Sequence, residues 1–465
     1  MTSSGARAPS PQRAHTFRSV LPVLALCWLA VFFDGMDVNI YGAVMPHMLD
    51  DPALGLTQSS AGTIGSWTTF GMLIGALTAG NLTDWLGRRP MLAGSVALFS
   101  LGSALCALAG TPGLFGAGRF VAGLGLGGLM PLCLAMVMEF APPRRVALTT
   151  GLLMTSYHAG GMVATALGLT LAPAAGWRWV FWAGVLPAVI AVPLLLKLMP
   201  ESPGVLLARG ERAKADAVAD RFALVRPTAV AAPAAGAKGR WAAVLALFRP
   251  ESRWATPLLW LASFCGLLLV YGVSTWLPQM MRASGYGMTS SVSFLLVINA
   301  GGIVGMLIAG RTADRFGAVR VSAIWFVLTA VGALLLKSHL SLGMTYVVVA
   351  VTGVWLFSAQ VMVYAASNTV YRDSERAAGL GWVTGVGRTG AVFGPWLGGA
   401  LASSGNQSWG FTSFALAGLL GAVAIALVPL AGKLGGRRRA APPSAGAAAP
   451  VQPVQPVQPV KGKPV

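Results

Sequence analysis

The sequence predicts an all-α membrane protein: twelve transmembrane helices arranged as two pseudo-symmetric six-helix bundles. Three observations carry that prediction. The chain of 465 residues is 55% hydrophobic and only 10% charged, outside the range of soluble globular domains. Its apolar stretches fall at 21–45, 60–83, 91–109, 113–140, 146–172, 176–199, 254–281, 289–310, 319–337, 343–370, 377–402 and 410–432, each of about the length that crosses a bilayer as a helix. A set of residues also recurs 230 positions later, as expected of an internal repeat. Gly80, Asp84 and Gly87 return as Gly310, Asp314 and Gly317; Gly160 and Gly168 as Gly390 and Gly398; Trp179 and Phe181 as Trp409 and Phe411.

The resulting division is an N-tail (1–20), an N-terminal bundle (21–199), a linker (200–253), a C-terminal bundle (254–432) and a C-tail (433–465). The formal charge of +19 reflects topology. Bases collect in the N-tail (Arg7, Arg13, Arg18), the even-numbered loops, the linker and the C-tail, whereas the odd-numbered loops hold only Arg178, Arg282 and Lys337. By the positive-inside rule both termini are cytoplasmic and the chain is a multi-pass protein of the inner (plasma) membrane. Nucleic-acid binding has no other support. Cys27, Cys106, Cys133 and Cys265 lie in apolar stretches without CxxC spacing, so they read as small core hydrophobes, with neither disulfide nor metal site. The four histidines are scattered, which argues against a membrane-embedded enzyme. The linker is too short and featureless for the output domain of a sensor.

The first span carries Asp34-Gly35-Met36-Asp37 near its middle, followed by Asn39 and Tyr41. A carboxylate at such depth costs about 2.5–3.5 kcal/mol on insertion scales, so a pair is by default an ion or proton site. Their i, i+3 spacing puts both on one helix face. The second span has Gly71 and Gly75 at small-xxx-small spacing for close helix packing and ends in Gly80-Asn-Leu-Thr-Asp84-Trp-Leu-Gly87-Arg88-Arg89. In the fourth span, Arg119 either snorkels to the interface or pairs with Asp34 or Asp37. Glu139 closes that span as a coupling residue or a structural one. The fifth holds His158 and the sixth opens Gly176-Trp-Arg-Trp. In the linker, Pro200-Glu-Ser-Pro203 is followed by a stretch, Arg209 to Val225, that suits a short surface helix.

In the second half, Tyr271, Trp276, Asn299 and Tyr364 are polar or aromatic residues within spans, and Asp314 and Arg315 sit in the repeated loop motif. Arg388, midway along the eleventh span, falls 230 after His158, so the two should face one another across the pseudo-twofold axis. By the same offset Asp34 and Asp37 correspond to Phe264 and Leu267. The carboxylates therefore belong to the N-half and the deepest fixed cation to the C-half. Arg388 is either an anchor for an anion or permanently paired with helix carbonyls or an N-half Asp. The C-tail, rich in Ala and Pro with Val-Gln-Pro repeats, is expected to be disordered.

These residues resemble the aromatic acid:proton symporters of the major facilitator superfamily. The resemblance rests on Asp34-Gly-Met-Asp37 with Tyr41-Gly42-x-x-x-Pro46, Gly118-Arg119-Phe through Met130-Pro131, Pro200-Glu-Ser-Pro203, and Gly381-Trp through Arg388-x-Gly390. It covers residues 34–399. The Ile-Tyr-Gly run looks more like benzoate carriers than 4-hydroxybenzoate or protocatechuate carriers. Gly204, Gly317-Ala-Val-Arg320 and His158 depart from the family pattern.

The resemblance implies a carrier that alternates between inward- and outward-open states. It would take up an aromatic carboxylate with H+, without a cofactor, as a monomer in the lipid bilayer. Proton coupling suits the physics: entry of an anion against an inside-negative potential costs about 2.3 kcal/mol per charge per 100 mV. A carboxylate kept from water is also a suitable proton carrier, because desolvation disfavours the charged form. On this reading Asp34, Asp37, Arg119 and Glu139 couple protons. Arg388, His158, Tyr41, Asn39, Trp276, Tyr271, Asn299 and Tyr364 bind substrate. Gly80, Asp84, Gly87, Arg88, Arg89, Asp314 and Arg315 form a conformational gate. The rival functions are a sugar or polyol carrier, another organic-anion carrier, or a drug exporter.

Overall fold

The computed structural model describes residues 17–142, 145–224, 245, 247–338, 340–372, 375–405 and 409–434, apart from the side chains of 17–19, 81, 84, 147, 377 and 432–434. Residues 1–16 and 435–465, Arg144, His339, linker residues 225–244 and 246, and the Asp84 side chain lie outside the described residues.

The N-half consists of α1 (Phe17–Leu49), α2 (Gln58–Leu86), α3 (Arg88–Leu108), α4 (Pro112–Phe140), α5 (Val146–Ala175), α6 (Trp177–Ala183) and α7 (Leu186–Leu198). Two short linker helices follow, α8 (Pro203–Ala208) and α9 (Arg212–Phe222). The C-half consists of α10 (Ala255–Ala283), α11 (Met288–Phe316), α12 (Ala318–Lys337), α13 (Leu342–Val370), α14 (Arg376–Ser403) and α15 (Trp409–Leu434). The 230-residue repeat holds to the residue for α2 and α11, and for α4 and α13.

Among the described residues nine segments are long and apolar enough to cross a membrane. The helices α2, α5 and α14 are as long but less apolar, and there is a physical reason. They supply much of the surface between the halves, α2 packing on α14 and α5 on α11, so less of their surface has to suit lipid. The sixth predicted stretch is broken into α6 and α7. Gly184 donates to the Phe181 carbonyl, Val185 to Trp182 and Ala188 to Val185, a tight turn followed by a proline, Pro187, that has no N–H to give.

Within each half the pairing is the same: α1 on α5 and α10 on α14, α2 on α4 and α11 on α13. Glycines allow these backbones to meet. Gly160 of α5 packs on the Phe32 carbonyl, and its repeat Gly390 packs on the Phe264 carbonyl. That places Phe264 opposite Phe32, an offset of 232 for the first helix of each half. The correspondence predicted from sequence therefore shifts by two: Asp34 answers to Gly266 and Asp37 to Leu269, not Phe264 and Leu267. Loop lengths before α2 and α11 differ, which the fixed offset does not capture.

α1 runs from the end of the molecule that bears the linker to the opposite, far end. The halves meet at that far end. The Gly62 and Gly399 backbones touch, with Gly65 against Pro395. Ser66 Oγ donates to the Val392 carbonyl at 2.7 Å, and Arg282 pairs with Asp50 at 2.8 Å. Toward the linker end, Gly80 and Gly310 have no neighbour within 4 Å of where a Cβ would lie. Among the described residues there, Arg88–Glu139 and Arg249–Glu375 are each ion pairs within one side.

Candidate functional site

The two aspartates of α1 are both buried, yet they have different surroundings. Asp37 turns into the N-half. Its Oδ2 pairs with Arg119 Nη1 of α4 at 2.9 Å, and its Oδ1 accepts from Ser103 of α3. Arg119 also donates from Nε to Thr68 Oγ1 at 3.1 Å and lies over the Tyr41 ring, 5.5 Å from its centroid. Arg119 therefore does not snorkel; it is buried and its charge is matched inside one bundle.

Asp34 lies one turn back along α1 and its Oδ1 has no hydrogen-bond partner. The charges that act on it are Arg388 of α14 and Asp37. Arg388 is half-buried and makes no ion pair among the described residues. Its charge also reaches Tyr271 of α10 and Tyr364 of α13. Tyr157 of α5 faces Asp34 and Tyr271 from the N-half, and Tyr364 lies beside Gln360, Ser263 and Thr384. A fixed cation, an unpartnered carboxylate oxygen and three phenol rings thus converge at mid-depth from both halves. Such a set can hold a planar anion: a guanidinium offers a fork to a carboxylate and rings offer faces to a ring.

The structure gathers some of the substrate-binding candidates here and leaves others elsewhere. Arg388, Tyr271 and Tyr364 belong to this cluster. Tyr41 instead donates to the Ala61 carbonyl at 2.7 Å under Arg119, and Trp276 gives its Nε1–H to the Pro395 carbonyl at 2.8 Å. His158 does not flank Arg388 as a second free cation: its Nδ1 is 3.1 Å from Asn299 Oδ1, and Asn299 in turn meets Asn39 at 3.2 Å. Tyr157, Gln360, Ser263 and Thr384 were missed by sequence reasoning. Gln360 had a legible signal, a carboxamide inside a predicted span. The apolar cavity within the C-half, lined by Leu269, Val273, Thr329, Thr352 and Phe414 among others, has no charged lining residue and is separate.

Glu139 is not with the aspartates either. It pairs with Arg88 at 2.5 Å and accepts from Ser202 Oγ at 2.5 Å, at the linker end of α4. Around it the motif loop is tied down. Gly87, at φ 98° and ψ 164°, turns the chain from α2 into α3, a region open only to glycine. The Glu201 carboxylate then caps α3, accepting from the N–H of Arg88 at 2.8 Å and of Arg89 at 3.3 Å, where the helix dipole favours an anion. Arg89 donates to the Leu196 carbonyl, and Arg209 to the Trp85 carbonyl at 2.6 Å. In the repeated loop Gly317 makes the same turn, at φ 86°, while Asp314 and Arg315 are exposed. Arg315 lies over the Phe316 ring.

The chain matches the Major Facilitator Superfamily over residues 27–311 and 293–464. The gentisate transporter of Corynebacterium glutamicum is 33% identical over 88% of this chain and 87% of its own length. The benzoate transport protein of Acinetobacter baylyi is 33% identical over 87% and 89%. The gallate transporter of Pseudomonas putida is 36% identical over 82% and 86%. Among solved structures, the xylose transporter XylE of E. coli, partially occluded and inward open, aligns with a TM-score of 0.68 at 16% identity. That alignment covers 87% of this chain and 97% of the transporter, and at such identity it speaks for the fold alone.

Proposed function

This chain belongs to the major facilitator superfamily, and from that premise we propose that it takes up an aromatic carboxylate together with protons, by alternating access. It is a membrane transporter and not an enzyme. The single observation that supports the substrate class best is Arg388, a mid-depth cation without an ion pair among the described residues, grouped with Asp34 and three tyrosines. The gentisate, benzoate and gallate transporters named above support the same class.

On this reading the substrate carboxylate sits on Arg388, and Tyr271 and Tyr364 contact the ring. The incoming anion neutralises the Arg388 charge that favours ionised Asp34, and the Asp34 carboxylate then binds a proton on its free Oδ1. One negative charge and one proton then cross together, which removes the electrical cost of carrying a monoanion inward. Asp37 and Arg119 stay paired and hold α1 against α4. With the linker end cytoplasmic, the present state is closed to the outside. Both termini are then inside, and the carrier works as a monomer without a cofactor.

The test uses purified protein and proteoliposomes. Binding of benzoate, gentisate and gallate should be weak but measurable in Arg388→Lys, which keeps a point charge but loses the fork, and absent in Arg388→Ala. Uptake should follow an imposed pH gradient and stop with an uncoupler. Parental affinity in Arg388→Ala would remove the anchor; uptake indifferent to the gradient would remove the coupling.

A further inference from the structure

His158, Asn299 and Asn39 form a buried chain of hydrogen bonds that crosses the interface twice, from α5 to α11 and back to α1. Its direction is fixed by the donors available. The Asn299 amide nitrogen faces the Leu295 carbonyl at 2.9 Å and Asn39 Oδ1 at 3.2 Å. Both of its hydrogens are thereby used. Asn299 Oδ1 must then accept, so His158 donates from Nδ1. Asn39, with its oxygen occupied, donates from Nδ2 to the Gly35 carbonyl at 2.8 Å. All three side chains are at most 2% exposed.

Two glycines make the space for this chain. A Cβ on Gly161 would lie 2.7 Å from Asn299 Oδ1 and 2.8 Å from Asn39 Nδ2. A Cβ on Gly302 would lie 2.8 Å from both Nδ1 and Cε1 of His158. The chain ends on the carbonyl of Gly35, the residue next to Asp34. It therefore ties the turn of α1 that bears Asp34, with its unpartnered Oδ1, to a helix of the opposite half. Neither Asn39 nor Asn299 is among the groups whose charge or hydrogen bonds act on Asp34, Tyr271 or Tyr364.

We propose that Asn299, held in orientation by His158, is a positioning residue for coupling: it transmits displacement of the Asp34 turn across the interface to the C-half. When Asp34 takes up a proton, the attraction between the α1 turn and the Arg388 charge on α14 is lost, and the amide chain passes that change to α11. This inference rests on the proton-coupled reading above, and the test separates the two.

Three quantities are measured for each variant in proteoliposomes or detergent: benzoate and gentisate affinity, counterflow exchange at equal pH, and accumulation under an imposed pH gradient. If the parent itself does not respond to the gradient, the proton-coupled reading fails. If it does, Asn299→Leu should keep affinity and exchange within about threefold, while the accumulation ratio falls at least tenfold. Asn39→Leu should behave alike, and the Asn39→Leu/Asn299→Leu double variant should be no worse than either single. Both the singles and the double leave the buried His158 Nδ1–H or an amide without its partner, so a thermal melt of each variant checks that it is folded before transport is compared. His158→Asn, which keeps a donor near the Nδ1 position, should accumulate substrate better than His158→Leu. An Asn299→Leu protein that accumulates like the parent overturns the proposal. So does one that loses affinity in step with accumulation, because Asn299 would then be a substrate ligand.

Discussion

Where the N-half carries Asp34, Asp37, Arg119 and His158, the C-half carries Gly266, Leu269, Val349 and Arg388 at the equivalent places. The backbones repeat and the charges do not. At Gly266 the difference can be seen directly: the Gln360 amide lies where a Cβ would stand, so a neutral group occupies the ground that Asp34 holds in the other half. The N-half matches its own buried cation with Asp37, whereas the C-half leaves Arg388 without a carboxylate of its own. A duplicated scaffold has thus been divided into a bundle that holds the buried carboxylates and a bundle that offers a positive charge. The motif loops show a second contrast, latched by Glu139 and Glu201 in the N-half and exposed in the C-half.

The largest effects should come from breaking the buried pair. Asp37→Asn or Arg119→Ala leaves a charge buried without its partner, at a cost of about 3–5 kcal/mol. Each should lower the melting temperature and membrane yield sharply, and Asp37→Asn/Arg119→Gln should recover much of the loss. Asp34→Asn should melt like the parent and yet fail to accumulate substrate. Equal melting of Asp34→Asn and Asp37→Asn would erase the distinction drawn between the two carboxylates.

Next in size is the latch. Gly87→Ala costs about 1–3 kcal/mol of backbone strain and also drives a methyl into the Glu201 carboxylate. Gly317→Ala pays strain alone, because its surroundings are open. Transport rate should therefore fall further in Gly87→Ala, with affinity little changed in both. A rate that falls more in Gly317→Ala would reverse the comparison. Glu201→Gln removes the anion from the α3 terminus, worth about 0.3–1 kcal/mol, and should slow transport to a smaller degree. Smallest of all is Asp314→Asn. The side chain is exposed, and a surface change of this kind shifts stability by about 0.5 kcal/mol or less, so a thermal melt should barely register it.

Much of this was legible in advance because membranes impose simple constraints. Long apolar stretches, the 230-residue recurrence and the need of any buried Arg for a counter-charge pointed to the helices and to Arg119 with an aspartate. The spacing of Asp34 and Asp37 indicated a shared face, yet one pairs with Arg119 and the other looks toward Arg388. A 60° difference around a helix is enough to separate two environments, and no spacing rule resolves it. Tyr157 was invisible because a tyrosine in a span reads the same whether it only packs or also lies near a buried carboxylate. Glu201 was part of a quoted motif, but its capping of α3 depends on a contact across more than a hundred residues of chain. For Glu139 the sequence left a coupling and a structural role open; α4 places it at the linker end, paired with Arg88 and Ser202 and away from Arg119.

The meeting of Gly62 and Gly399 bears on how readily the far end can part. Side chains that interlock must be withdrawn from one another before two helices separate, and the apolar area they expose resists that step in proportion. Here α2 and α14 present bare backbone and the flat ring of Pro395, so there is little to withdraw and little area to wet. Apart from Ser66 and its acceptor, the atoms that meet around Gly62 and Gly399 are backbone. Replacing Gly62 with a bulkier residue would therefore press on the Gly399 backbone and wedge the seam apart.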